Sequence, residues 1–484
     1  MQLFYKQNYI NTRILKNLIF LILIILFLKT ILVYEGNKIY YLIFSIIFNF
    51  SIYRILFKKF YFFEFFFSSL LWLGFWFKFT IFESGIYKSK EIFDGRVLCG
   101  LNIENFDNIL LVSSIGYFGY ILSLITVDNF NFLNKKKISF HKIRKKNFLF
   151  SILFIFLFLL ISSTITNYIF GIYQKGISSN EDYLYLNKIV YPFFFNIGFG
   201  AALCYFIKNL HIYNFKYFYI IILIIIFEGF LTNVTMLSRN MILYSTSIFF
   251  GYVFFINNLG QLKFFKKKLI FSYLIMLFFF LISIISTNNL RDKNFIEINT
   301  TKIENKSFKC KLNFKIDNIQ NIEFVNLLLS RSIGIEGMIA TTNNKQILGF
   351  DFLKKTLDES PKNQVSLYEK NFLKNQDRTR LYKNSNQVIL PGILGYLYFS
   401  GSKSFLFLCM YFIGLICLYF EKLVIKFTNN IVLSSFISFI IVWRLINFGY
   451  LVSNTLNFIL SIMVTIIVIY FFQFYVTKND IFKK

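Results

Sequence analysis

NKKKISFHKIRKKNFLFSILFIFLFLLISSTIT, residues 134–166, is the stretch on which the fold turns. Its second half, 148–166, carries no charged side chain. As a helix rising ~1.5 Å per residue it is long enough to cross a hydrocarbon core of ~30 Å. Its first half is a dense block of lysine and arginine, and such blocks stay on the cytoplasmic side of a membrane. The pair reads as a membrane-crossing helix entered from the cytoplasm.

Working outward, similar apolar runs occupy 14–33, 39–57, 60–82, 109–127, 189–207, 217–237, 240–257, 269–286, 389–420, 430–448 and 455–475. With 148–166 that makes roughly twelve spans. The run at 389–420 is too long for one straight crossing and is broken at Gly401-Ser402-Lys403, which predicts a short tilted or re-entrant piece followed by a span. The composition agrees: 56% of residues are hydrophobic, 21% are aromatic, and there are only three prolines, against roughly 45–50% apolar residues in a soluble domain. The fold class is an all-α integral membrane protein with no internal repeat. A formal charge of +28 would suggest nucleic acid in a soluble protein. Here the lysines fall between apolar runs, where they set orientation and not nucleic-acid binding.

With a cytoplasmic N-terminus, the segments on that side hold 22 lysines and arginines and the short loops opposite hold 7. Both termini are therefore expected in the cytoplasm. The first run resembles the apolar core of a signal peptide but lacks a small-residue cleavage site and should be retained. Three regions follow: helices over 1–286, a large polar loop over 287–388 on the outer side, and helices over 389–484. A loop of that size facing outward fits chemistry on a lipid-linked substrate at the membrane surface, where reactive groups are shielded from bulk water.

This orientation narrows the chemistry. His141 and His211 both fall in expected cytoplasmic loops and cannot act on the outer face. The five cysteines, at 99, 204, 310, 409 and 417, have no paired CxxC spacing. Cys99 and Cys310 are both on the outer side, where they could oxidise if close. No phosphate-binding loop or Gly-rich dinucleotide fingerprint is present, so no cofactor or metal is expected. Arginines remain. Arg239 and Asn240 follow a span in MLSRNM, Arg378 and Arg380 lie in NQDRTRLYKNSNQ, and Arg444 sits in the last turns of a span in WRLINFGY, ahead of Tyr450. A guanidinium presents a planar fork that fits two phosphate oxygens at once. An arginine at a helix end often only anchors to headgroups, but Arg444 lies deeper, where a charge costs roughly 2.5–3.5 kcal/mol.

Within the large loop, SRSIGIEGMIA (330–340) sets Arg331 and Glu336 in an apolar run. Read as one helix from Phe324 to Ile339, the run is apolar nearly all round and should be buried. Arg331 and Glu336 are then about 140° apart around the axis and must face different partners. Arg331 can hold a phosphate, with Glu336 as a proton acceptor, or each can pair with another helix. Glu228, midway in a span, is a site candidate by its depth, and reads first as a protonated, hydrogen-bonded structural carboxylate.

The strings GIYQKG (171–176), SRN (238–240), SRSIGIEG (330–337), PGILGYLYFSGS (391–402) and WRLINFGY (443–450) resemble, in order and sidedness, the O-antigen polymerase (Wzy) family. The resemblance implies a GT-C-like glycosyltransferase of the bacterial inner membrane. It would polymerise undecaprenyl diphosphate-linked oligosaccharide repeat units, without a metal, at the periplasmic face. Catalysis is expected from Glu336 and Arg331, with diphosphate and glycan held by Arg239, Arg444, Arg380, Arg378, Asn240 and Tyr450. Membrane lipid, a chain-length regulator and a flippase are the partners it implies. A flippase or transporter, or a glycosyltransferase using a polyprenyl monophosphate sugar with Asp94, Glu104 or Asp107 as base, are the rival readings.

Overall fold

Inside a hydrocarbon layer, the backbone of an apolar run without proline can satisfy its N–H and C=O groups only by pairing within itself, as a helix. The computed structural model describes residues 12–58, 60–86, 106–130, 146–175, 186–238, 240–299, 334–343, 348–349, 351–358, 391–449 and 452–481. Among these the regular elements are all helical. They are α1 (Thr12–Val33), α2 (Lys38–Phe57), α3 (Phe62–Glu83), α4 (Asp107–Asn129), α5 (Lys146–Phe170), α6 (Tyr191–Tyr213), α7 (Phe218–Thr235), α8 (Met241–Asn258), α9 (Leu262–Asn299), α10 (Ile335–Thr342), α11 (Asp351–Leu357), α12 (Gly392–Tyr398), α13 (Lys403–Thr428), α14 (Ile431–Ile446) and α15 (Val452–Ile481).

Eleven helices among the described residues are long and apolar enough to cross a membrane, and the chain is a multi-pass membrane protein. The twelfth expected span is α14, whose 16 residues reach only ~24 Å. It is buried from Ile431 through Ile440, so other helices rather than lipid surround it and it need not match the bilayer. The 389–420 run divides where expected. Helix α12 ends, Gly401 turns the chain with φ +75°, and Ser402 caps α13 by accepting from the Phe405 N–H at 3.2 Å.

The periphery and the centre follow from what each helix shows to its surroundings. Helices α1, α5, α9 and α15 expose large apolar side chains, including Ile25, Phe158, Phe278 and Phe471, as lipid-facing helices do. The centre is aromatic: Phe48 stacks on Tyr117 with ring centres 4.3 Å apart, and Phe65 stacks on Phe250 at 4.5 Å. These rings are core packing.

Charged side chains fix one end of the bundle. Arg54 near the end of α2 meets Glu64 at the start of α3 at 2.8 Å and Asp128 at the end of α4 at 2.9 Å. Glu421 on α13 accepts from the Phe62 and Phe63 N–H groups at 2.9 and 2.7 Å and from the Ser438 hydroxyl of α14 at 3.2 Å. A carboxylate over the first turn of a helix satisfies amides that have no intrahelical partner. This network end carries the finish of α2, α4 and α13 and the start of α3 and α14. The opposite end receives the 334–343 and 391–401 segments and is called the loop end below.

Candidate site at the loop end of the bundle

Helix α3 is interrupted by a π turn over Leu73–Phe77, directly before Lys78. Lys78 is completely buried within a span, a costly place for an ammonium group unless an anion meets it. That anion is Glu336 of α10, in ion-pair contact with the Lys78 Nζ. The carboxylate arrives from the large loop. Helix α10 is buried from Ile335 to Thr341, so the loop sends an apolar turn into the bundle.

Two glycines allow this depth. A Cβ on Gly334 would stand 2.5 Å from the Gly74 carbonyl oxygen in the π turn, and one on Gly337 would overlap the Pro391 carbonyl. Any side chain at either place would push α10 out of its seat. Helix α12 backs α10 and extends the site toward α14: the Gly392 N–H donates to the Phe448 carbonyl at 3.1 Å, and Tyr396 meets the Phe448 ring edge-on at 4.8 Å.

A second group of side chains gathers around Arg444, on the last turn of α14. Its Nη2 donates to the Thr455 hydroxyl at 3.2 Å, and its guanidinium lies over the Phe458 ring at 5.5 Å. Next to it comes the 171–175 turn, held in place by Asn167. The Asn167 amide donates to the Tyr173 carbonyl at 3.0 Å and the Thr235 carbonyl at 3.3 Å, and its oxygen accepts from the Tyr173 N–H at 2.7 Å. Asn196, inside a π turn over Phe194–Gly198, donates to the Tyr173 hydroxyl at 3.3 Å. The Lys175 N–H donates to the Met236 carbonyl at 2.9 Å, and its Nζ lies 3.6 Å from the Met241 sulfur. Burial, and then the nearby charge of Arg444, push the Lys175 ammonium down to about 8. The charge of Arg444 adds to the cost of burying the Lys175 ammonium, and an anion beside Lys175 would offset it.

The expected site residues fare as follows. Glu336 and Arg444 both lie at the loop end, bridged by α12 and the 444–448 turn. Asn240 is half-buried at the cap position of α8, next to Met241 and so beside Lys175. Arg331, Arg239, Arg378, Arg380 and Tyr450 lie outside the described residues, as do His141, Cys99, Cys310, Asp94, Glu104 and the Lys136 block. The continuous helix read from Phe324 to Ile339 is corrected. Gly334 is non-helical and the helix starts at Ile335, because the chain must turn against the Gly74 backbone there. His211 is corrected from loop to helix. It is buried in the last turn of α6, bonded to Tyr252 and Gln261 at 2.8 Å each, at the network end. The Arg54 network places a second group of buried charges at the opposite end of the bundle. Glu228 accepts from the Ser245 hydroxyl at 3.1 Å between α7 and α8, the structural role expected.

Sequence reading missed Lys78 and Lys175. Lys78 could have been found by the rule applied to Arg444, since it is a lone charge inside LWLGFWFKFTIF. No protein-family model, curated protein or solved structure matches the chain.

Proposed function

We propose that the protein is an oligosaccharide repeat-unit polymerase: a metal-independent, GT-C-like glycosyltransferase of the bacterial inner membrane acting on undecaprenyl diphosphate-linked glycans. The observation that supports this most is the seating of a carboxylate-bearing helix from the large loop in the same end of the bundle as the cations Lys175 and Arg444. The first offers a proton acceptor and the second a place for a phosphate group, as inverse halves of a glycosyl transfer require.

In this reading the diphosphate of the growing chain lies against Arg444 and Lys175, with Arg239, Arg331, Arg378 and Arg380 adding donors from the outer segments. A hydroxyl on the terminal sugar of the incoming unit attacks the anomeric carbon. The bond to the diphosphate oxygen breaks, its developing charge is met by the cations, and Glu336 takes the hydroxyl proton. Asn240 and Tyr450 contact glycan. Periplasmic placement of the loop end and cytoplasmic termini belong to the same proposal, as do a flippase delivering substrate and a chain-length regulator. The test is direct. Purified protein given lipid-linked repeat units should make a polymer ladder, whereas a transporter moves them across a bilayer unchanged and a monosaccharide transferase adds one sugar.

A further inference from the structure

We propose that Lys78 is the positioning residue of this site: it fixes the Glu336 carboxylate at the loop end, and the π turn over 73–77 is the device that aims it. This rests on the reading of Glu336 as proton acceptor. Three observations meet at one place. Lys78 is the first residue after the π turn. The same turn supplies the Gly74 carbonyl on which Gly334 rests. The ion pair joins that helix to the loop.

The geometry explains why a π turn is there. Adding one residue to a helical turn rotates every later side chain by about 100° around the axis. Residues before the turn, Phe63 and Phe67, pack against Tyr120 of α4. After it, Lys78 faces α10, and Phe79 meets Tyr34 and Tyr41 of the α1–α2 corner. An unbroken helix would carry the ammonium to another side of α3, away from Glu336. The turn thus lets one helix serve the core below and the site above.

Lys78 touches no reacting atom in this scheme. It holds the carboxylate, and through it the helix, where an acceptor hydroxyl arrives. A charge fixed by a buried partner stays put when substrate enters, the preorganisation a proton acceptor needs.

The experiment uses full-length protein in nanodiscs with its five cysteines replaced by alanine and Thr341→Cys as reporter, since Thr341 is buried on the last turn of α10. Lys78→Met should expose that cysteine to a maleimide and lower the single-turnover polymerisation rate by about 10², the loss that an ångström of misplacement causes. Lys78→Arg should retain most of both. The reversed pair, Lys78→Glu with Glu336→Lys, should protect the cysteine again yet remain inactive, because the carboxylate now sits on α3. Normal turnover from the reversed pair overturns the proposal and makes the pair a plain structural bridge. So does a Lys78→Met protein with unchanged protection and rate. Should the parent protein make no polymer while Lys78→Met still unseats α10, Lys78 keeps its positioning role and the polymerase reading falls instead.

Discussion

The two ends of the bundle treat charge in opposite ways. At the network end the charged participants all come from spans, and two of the carboxylates are met by several donors: Glu64 by Arg54 and the Tyr61 N–H, Glu421 by two backbone amides and a serine. Its charges are matched within the bundle, Arg54 sitting between Glu64 and Asp128. At the loop end Glu336 and Lys175 come from segments between spans, Lys78 follows the π turn, and the charge of Arg444 reaches Lys175. Charges matched within the bundle hold helices together, while a buried cation brought in by a loop is a place for a ligand.

The largest effect should come from breaking the Arg54 network. Arg54→Met leaves Glu64 buried without its guanidinium, which costs about 3–5 kcal/mol in comparable cases. Thermal unfolding in detergent should register a large loss of stability. Lys175→Met at the loop end, where an anion and not a fixed carboxylate is the expected partner, should leave stability nearly unchanged. Equal losses at both ends would erase the contrast.

Arg444→Gln should come next, and in binding instead of folding. A hydrogen bond to a charged group contributes about 1.5–3 kcal/mol, so affinity for a polyprenyl diphosphate should fall about 10- to 100-fold. Arg54→Lys, if folded, should bind it normally.

The smallest effect is in pH. The Lys175 ammonium is depressed to about 8, so it is charged below that value and loses its proton as pH rises through it. Diphosphate affinity should decline a few-fold between pH 7 and pH 9, about the loss of one charge among several. Lys175→Arg should flatten this profile. Arg444→Gln should move its midpoint upward only in part, because burial is the larger cause of the depression.

Much of the architecture was legible because a membrane leaves so few options. The Gly401–Lys403 break, the burial of the 335–340 stretch and nearly all the span positions followed from length and polarity. What was hidden depended on contacts between distant segments. The helix reading through Gly334 failed because periodicity ignores the Gly74 carbonyl that stops it. The role of Lys78 was hidden because its partner is far along the chain and outside the spans. Lys175 was quoted in GIYQKG, but its value lies in the packing that brings it to Arg444, which no spacing encodes. The shortness of α14 was hidden because sequence cannot tell a helix wrapped in helices from one wrapped in lipid.

The central claim is that the loop end is a glycosyl-transfer site and not merely a second structural bridge. A neutral pair, Lys78→Met with Glu336→Gln, tests it most directly, because removing both buried charges together leaves neither one stranded and the fold intact. Purified parent protein and this variant are given the same lipid-linked repeat units, and the products are resolved by length. The account predicts a ladder from the parent and a rate lower by roughly 10²–10⁴ from an equally stable variant. Indistinguishable ladders from the two would contradict it, and so would a parent protein that leaves the repeat units unjoined.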